Sequence, residues 1–192
     1  MVNFLIFGPP GSGKGTQSVK LAEKFNLLHL STGDMLRAEI AAGTELGKRM
    51  SAIMSKGELV PDEVVIEMIA SKIDGAKGYK GFLYDGFPRT VAQAVALEKM
   101  LNARGMKINC MLVLDVDHDE LVKRLVLRAE QSGRPDDKDP AVIENRIDVY
   151  KEKTEPIINY YREKGLYQPV NGVGNIGDIF QRLSEKIEKY LD

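Results

Sequence analysis

Residues 7–17 read Phe-Gly-Pro-Pro-Gly-Ser-Gly-Lys-Gly-Thr-Gln, and Gly8, four further residues, Gly13 and Lys14 have the spacing of a Walker A loop. Glycines let the backbone curl so that the N–H groups of Gly11, Ser12, Gly13, Lys14 and Gly15 point inward at phosphate oxygens. A helix opening at the end of such a loop adds its positive N-terminal end. Lys14 supplies a mobile point charge for the outer phosphates. The apolar run Val2–Phe7 leads directly into the loop, as a buried strand before a phosphate cradle must. One position departs from the general pattern. Gly15 follows the lysine where Ser or Thr is usual, and the hydroxyl arrives one residue later, in Thr16.

Other residue types suited to phosphate chemistry lie far along the chain. Arg124 and Arg128 stand at i and i+4 beside an apolar stripe of Leu121, Val122, Leu125 and Val126. Like charges at that spacing cost a few tenths of a kcal/mol in an isolated helix, so they need either a shared anion or acidic neighbours such as Glu120 and Glu130. Arg134 sits in the polar stretch Gln-Ser-Gly-Arg-Pro-Asp-Asp-Lys, where Asp136 or Asp137 could pair with it. Asp85 ends the strand-like run Phe-Leu-Tyr-Asp, the Walker B position, suited to Mg²⁺ through a water or, alternatively, to a turn. Lone Cys110 lies among apolar neighbours and reads as a core residue. His29 reads as a core or strand-end residue, and His118 as an exposed helix start.

Holding these groups requires a rigid frame. Continuous apolar runs at 2–7, 27–30, 81–85 and 108–116 predict parallel strands covered on both faces. Residues 166–170 predict an edge strand because Pro169 lacks an N–H. Helical periodicity fills the intervals. Residues 14–25 repeat Val19, Ala22 and Phe25; 62–74 repeat Val65, Met68 and Ile69; 90–103 repeat Val91, Ala94, Leu97 and Leu101. Asp139-Pro140 marks a helix start, followed by one stripe of Ile143, Ile147, Tyr150, Thr154, Ile157 and Tyr161. Alternating strands and helices predict an α/β domain with right-handed crossovers. Residues 31–60 are helical without a strand, and 131–138 form a polar loop.

The 192 residues suffice for one core, and no apolar stretch nears the roughly 18 residues of a membrane span. With 27 basic and 28 acidic residues interspersed, the net charge of −1 argues against a nucleic-acid footprint. One cysteine excludes a disulfide framework and a four-cysteine zinc site. No export signal is visible at the N-terminus, so a cytoplasmic location and no membrane partner are expected.

The loop variant Gly-Pro-Pro-Gly-Ser-Gly-Lys-Gly-Thr resembles that of nucleoside monophosphate kinases, adenylate kinases in particular. The likeness continues, in that family's order and spacing, through Ser31–Arg37, Gly57–Asp62, Asp85–Thr90, Ser132–Asp137, Asn145–Tyr150 and Val170–Gly174. It implies a P-loop NTPase-type five-stranded parallel sheet with helices on both faces, within a single kinase domain. The core would comprise 1–30, 61–130 and 136–192, with a helical NMP-binding insertion at 31–60 and a short lid at about 129–135. The long-lid form with its zinc cysteines is absent, so no zinc is expected. The implied reaction is reversible Mg²⁺-dependent transfer from ATP to AMP giving two ADP, serving adenine-nucleotide homeostasis, by a monomer.

By the same resemblance, Lys14, Arg89, Arg124, Arg128, Arg134 and Arg146 act on the transferring group. Residues 11–16 with Arg124, Arg128 and Gly174 bind ATP. AMP falls to Thr32, Arg37, Glu58, Leu59, Val60, Gly86, Phe87, Pro88, Arg89, Gln93, Arg134 and Arg146, with a cis bond before Pro88. Asp85 holds Mg²⁺ through water, with Thr16 a second candidate. The physics agrees with so many cations: two nucleotides meeting head to head bring together about six negative charges. UMP/CMP kinases are the nearest rival, but they usually carry alanine and asparagine where this chain has Thr32 and Thr90. Asn145-Arg146-Ile147-Asp148 is superficially like a guanine-reading motif of nucleotide switches, yet it lies within a helical stripe.

Overall fold

The structure is a computed structural model that describes residues 1–132 and 139–191. Arg134 and the rest of 133–135 in the expected lid therefore lie outside the described residues. Five parallel strands, β1 (Val2–Phe7), β2 (Leu27–Ser31), β3 (Gly81–Asp85), β4 (Cys110–Asp115) and β5 (Tyr167–Asn171), pair in the order β2-β3-β1-β4-β5. Pro169 is in β5, which pairs only with β4, so its missing N–H breaks no second ladder. Alternate residues of β1 enter different cores. Phe4 and Ile6 pack with α1 (Lys14–Phe25) and α9 (Ile176–Glu188). Leu5 and Phe7 pack with α4 (Asp62–Gly75), α5 (Val91–Asn102) and α8 (Pro156–Glu163).

Register fixes the site. Ile6 of β1 and Ser31 of β2 both align with Asp85 of β3, so the phosphate loop, the turn after Asp85 and the start of α2 (Thr32–Ala41) leave the same sheet edge. The chain leaving β1 turns to one face through α1, whereas that leaving β3 turns to the other through α5. A crevice opens where neighbouring strands diverge in this way. Between β2 and α4, residues 31–60 form only α2 and α3 (Glu45–Ser55), capped by Ser31 and Thr44.

Three helical faces differ from their expected composition. In α1, Val19 is 58% exposed while Leu21 is fully buried, because Gln17, Ser18 and Leu21 turn inward with Phe25. Val91 is also exposed, lying at the first position of α5 before the helix meets the core. In α6 (His118–Ser132), Leu121 and Leu125 are buried but Val126 is exposed, so the stripe is narrower than its sequence suggests. The stripe after Asp139 is buried as expected, but on two helices rather than one. α7 (Pro140–Val149) and α8 flank a π-turn at Tyr150–Thr154, closed by Glu155 N–H donating to the Tyr150 carbonyl at 2.8 Å.

Candidate active site

The phosphate loop is held in shape by its glycines. Gly11 has φ +85°, and a Cβ there would lie 2.8 Å from the Leu121 carbonyl oxygen. Only glycine accepts both that dihedral and that approach. Gly13, at φ +88°, precedes the first residue of α1. Ser12 N–H donates to the Pro9 carbonyl at 3.1 Å, and the half-buried Lys14 leans its Nζ toward the same oxygen at 3.4 Å. Burial pulls the Lys14 pKa down to about 8; Asp85 opposes this, while Arg89, Arg146 and Arg128 push it further down. These five side chains thus form one electrostatic group, four cations around a buried carboxylate.

Arg124 is tied to three elements. Its Nε donates to Glu120 at 2.8 Å, Nη1 to the Ser12 carbonyl at 3.3 Å and Nη2 to the Gly172 carbonyl at 3.1 Å. It therefore does pair with Glu120, as its helix spacing allowed, and also joins the phosphate loop to the loop after β5. Gln17 reinforces that junction through Nε2 to the Ile176 carbonyl at 3.0 Å. Gly174 belongs to this loop, with φ +124°, but lines neither cleft described below. Thr16 is exposed and likewise lines neither.

Asp85 is buried, with Oδ2 3.3 Å from His29 Nε2. A Cβ on Gly15 would stand 3.7 Å from that same Oδ2, so the carboxylate abuts the first turn of α1. Sequence reasoning placed His29 only as a core or strand-end residue; strand register makes it the carboxylate's partner.

Two clefts meet here. One is lined by Gly8, Pro10, Lys14, Tyr150 and Thr154 among others. The second is lined by Thr32, Arg37, Glu58, Leu59, Val60 and Gln93 among others. Gly57, Leu59, Gly86, Arg89 and Arg146 line both. Gly57 permits this union: a Cβ there would sit 2.6 Å from Arg146 Cγ. Asn145 donates to the Lys56 carbonyl at 2.7 Å, joining α7 to the end of the helical segment.

Each side chain of the second cleft is fixed by local chemistry. Thr32 donates its hydroxyl to the Gly86 carbonyl at 2.9 Å, leaving lone pairs for any ligand. Arg37 is paired with Asp34, and Gly33 makes room for its guanidinium. Phe87 is fully buried and the Phe87–Pro88 bond is cis. Arg89 donates Nε to the Gly86 carbonyl at 2.7 Å and its backbone N–H to Gln93 Oε1 at 2.7 Å. Thr154 donates to the Arg89 carbonyl at 3.1 Å from the π-turn. Thr154, Tyr150 and Asp62 were not singled out by sequence reasoning as site residues. The available signals were a hydroxyl interrupting the apolar stripe and a carboxylate directly after Pro61.

Burial also settles the reading of the lone cysteine. Cys110 is fully buried, and burial pushes its thiol up to about 12, which removes it as a nucleophile. Among the described residues no helix is long and apolar enough to cross a membrane.

A family model described as Adenylate kinase matches residues 6–166. The adenylate kinase of Phocaeicola vulgatus is 49% identical over 189 residues, spanning 98% of this chain and 100% of that protein. That of Flavobacterium psychrophilum is 49% identical over 187 residues, 97% of this chain and 98% of the relative. That of Maricaulis maris is 46% identical over 188 residues, 98% and 100% respectively.

Proposed function

Because this chain belongs to the adenylate kinase family, we propose that it transfers the terminal phosphoryl group of ATP reversibly to AMP, giving two ADP. The observation that carries the reading is the junction of two clefts at Arg89, Arg146 and Gly86, with Lys14 on one side and Arg37 on the other. A transfer between two nucleotides needs two pockets and a shared cationic floor; hydrolysis of one nucleotide needs neither.

On the donor side, the loop residues Gly11, Ser12, Gly13, Gly15 and Thr16 present backbone to the phosphates while Lys14 follows the outer charge. Arg124 and Arg128 offset the charge of donor and transferring group, and Gly174 offers backbone to the base. Residues 31–60 act as the acceptor-binding unit: Thr32, Gln93 and the backbone of Glu58–Val60 read adenine, while Arg37 and Arg89 hold the phosphate. Guanidinium groups suit this because each can offer two parallel hydrogen bonds to phosphate.

The donor set fits Mg²⁺. One buried carboxylate, Asp85, lies beside the opening of α1, and Mg²⁺ typically takes one or two carboxylates with substrate phosphates and water. Asp85 would hold it, with Thr16 a second candidate, and bound Mg²⁺ would neutralise charge on the outer phosphates. We further propose a cytoplasmic monomer acting on ATP, AMP and ADP, with no zinc, nucleic acid or membrane partner.

The decisive measurement is kcat/KM for AMP, CMP and UMP with ATP saturating. AMP is expected to lead by at least about 100-fold, corresponding to ~2.7 kcal/mol. Comparable values for UMP or CMP overturn the adenylate reading in favour of a pyrimidine nucleotide kinase.

A further inference from the structure

The acceptor cleft holds an amide whose orientation is decided from behind. Gln93 is buried and lines the cleft, yet both ends of its side chain are already engaged. Its Oε1 accepts the Arg89 backbone N–H at 2.7 Å, and its Nε2 donates to Asp62 Oδ1 at 2.6 Å. The other carboxylate oxygen of Asp62 accepts the Thr90 hydroxyl at 3.1 Å. That hydroxyl in turn accepts the Gln93 backbone N–H at 3.1 Å, capping α5. Three of these bonds close a ring through Asp62, Thr90 and Gln93, and the fourth, from the Arg89 N–H, fixes the other end of the amide.

The geometry points to Asp62 as a positioning residue for base selection, a role it exerts through the Gln93 amide without itself lining the cleft. A carboxylate can only accept and a backbone N–H can only donate. Together they permit one of the two amide orientations, nitrogen toward Asp62 and oxygen toward Arg89. The reverse would set Oε1 against the carboxylate and Nε2–H against an N–H. An amide carries two N–H groups and two oxygen lone pairs, so the ring leaves one of each for a ligand.

That remaining pair is directional. An adenine edge offers a donor at its exocyclic amine and an acceptor at the adjacent ring nitrogen, complementary to an oxygen beside an N–H. Guanine in the same pose offers an acceptor at the exocyclic position and a donor at the ring nitrogen, which opposes the amide at both points. A site whose polar groups are fixed this way leaves the wrong base with unpaired groups, the situation that yields strong discrimination. The ring thus rejects guanine by orientation.

This rests on Gln93 reading the acceptor base, and the experiment separates the two claims. The probes are AMP and GMP, with kcat/KM for each measured at saturating ATP. Asp62→Ala should lower the AMP-to-GMP ratio at least about tenfold, chiefly through the KM for AMP. Asp62→Asn should retain most of the ratio, because its oxygen can still take Gln93 Nε2–H while its amide donates to Thr90 Oγ1. Loss of AMP and GMP activity in equal proportion, or an unchanged ratio in Asp62→Ala, overturns the proposal. Gln93→Ala tests the underlying reading: a preserved ratio there removes base reading by Gln93 and the role of Asp62 with it. If Gln93→Ala collapses the ratio while Asp62→Ala does not, only the orienting role falls. Should Asp62→Ala fail to fold, the side-chain amide protons of Gln93 in the ¹⁵N-labelled wild-type protein decide. Protection of one proton from exchange supports the ring, and free exchange of both overturns it.

Discussion

On the function proposed above, the two clefts would hold their phosphates by opposite means. The donor cleft would take its phosphate cradle from one contiguous loop whose working parts are backbone N–H groups, with glycine at positions 8, 11, 13 and 15. The acceptor cleft is assembled from Thr32 to Arg37, Gly57 to Val60, Gly86 to Gln93 and Arg146, and its working parts are side chains. A backbone cradle is damaged by adding atoms; a side-chain cradle is damaged by removing them.

The largest effect should come from the one side chain the donor loop does contribute. Lys14→Met removes a preorganised charge and should reduce kcat/KM by about 2–4 kcal/mol, roughly 30- to 1000-fold. Its effect on stability has the opposite sign. The Lys14 pKa in the fold, about 8, lies below the ordinary 10.5, so the charged form is disfavoured in the folded protein. That cost is fully present below about pH 8 and disappears as pH rises from there toward 10.5. Lys14→Met should therefore melt higher than wild type at pH 7, with the difference shrinking across that window. A variant that is both inactive and less stable contradicts the role given to its burial.

The next contrast lies between arginines. Arg37→Ala should chiefly raise the KM for AMP, and Arg128→Ala should chiefly impair transfer and ATP handling. Each lost charge-assisted contact is worth about 1.5–3 kcal/mol. Titrating the two nucleotides separately reads this, and the reverse pattern would exchange the identities of the clefts.

The smallest effects sharpen the comparison best. Gly11→Ala adds one methyl to the backbone cradle, at φ +85° and against the Leu121 carbonyl, and should lower stability by about 1–3 kcal/mol. Thr154→Val removes one hydroxyl that lines the first cleft but bonds the carbonyl of Arg89, a residue shared with the acceptor cleft. The expected loss is about 0.5–1.5 kcal/mol, seen as a higher KM for AMP and restored by Thr154→Ser. Thermal melts and AMP titrations on both variants measure the contrast. It fails if the added methyl is tolerated, or if Thr154→Val changes ATP and AMP binding alike.

The same contrast explains what was legible in the sequence. The glycine loop could be read because its spacing is local, and β1, β3 and β4 because burial on both faces makes their apolar runs continuous. Asp139-Pro140 announced a helix start, and Asp139 does cap α7 through the Ala141 N–H at 2.9 Å. The face of α1 was misjudged at Val19 because helical spacing alone does not say which stripe meets the sheet; Gln17 and Ser18 are buried there against its polarity. The π-turn was hidden because its one extra residue leaves the apolar stripe almost in step. The links from Asp62 to Gln93, Asp85 to His29 and Thr154 to Arg89 span 31, 56 and 65 residues, and no local rule reaches that far.

The central position of β1 also bears on how the chain is made. β1 is synthesised before both of its sheet neighbours, and Phe4, Leu5, Ile6 and Phe7 are almost wholly buried in the finished sheet. Its two neighbours, β3 and β4, begin only at Gly81 and Cys110. At ordinary translation speeds of about 5–20 residues per second, some 100 residues and roughly 5–20 s separate the strand from its second partner. Until β3 arrives, this apolar segment, with its glycine-rich loop attached, has neither of its neighbouring strands to pair with. Helices α1 to α4 emerge first and can only shield it, so the nascent chain depends on provisional helical cover until its own middle arrives.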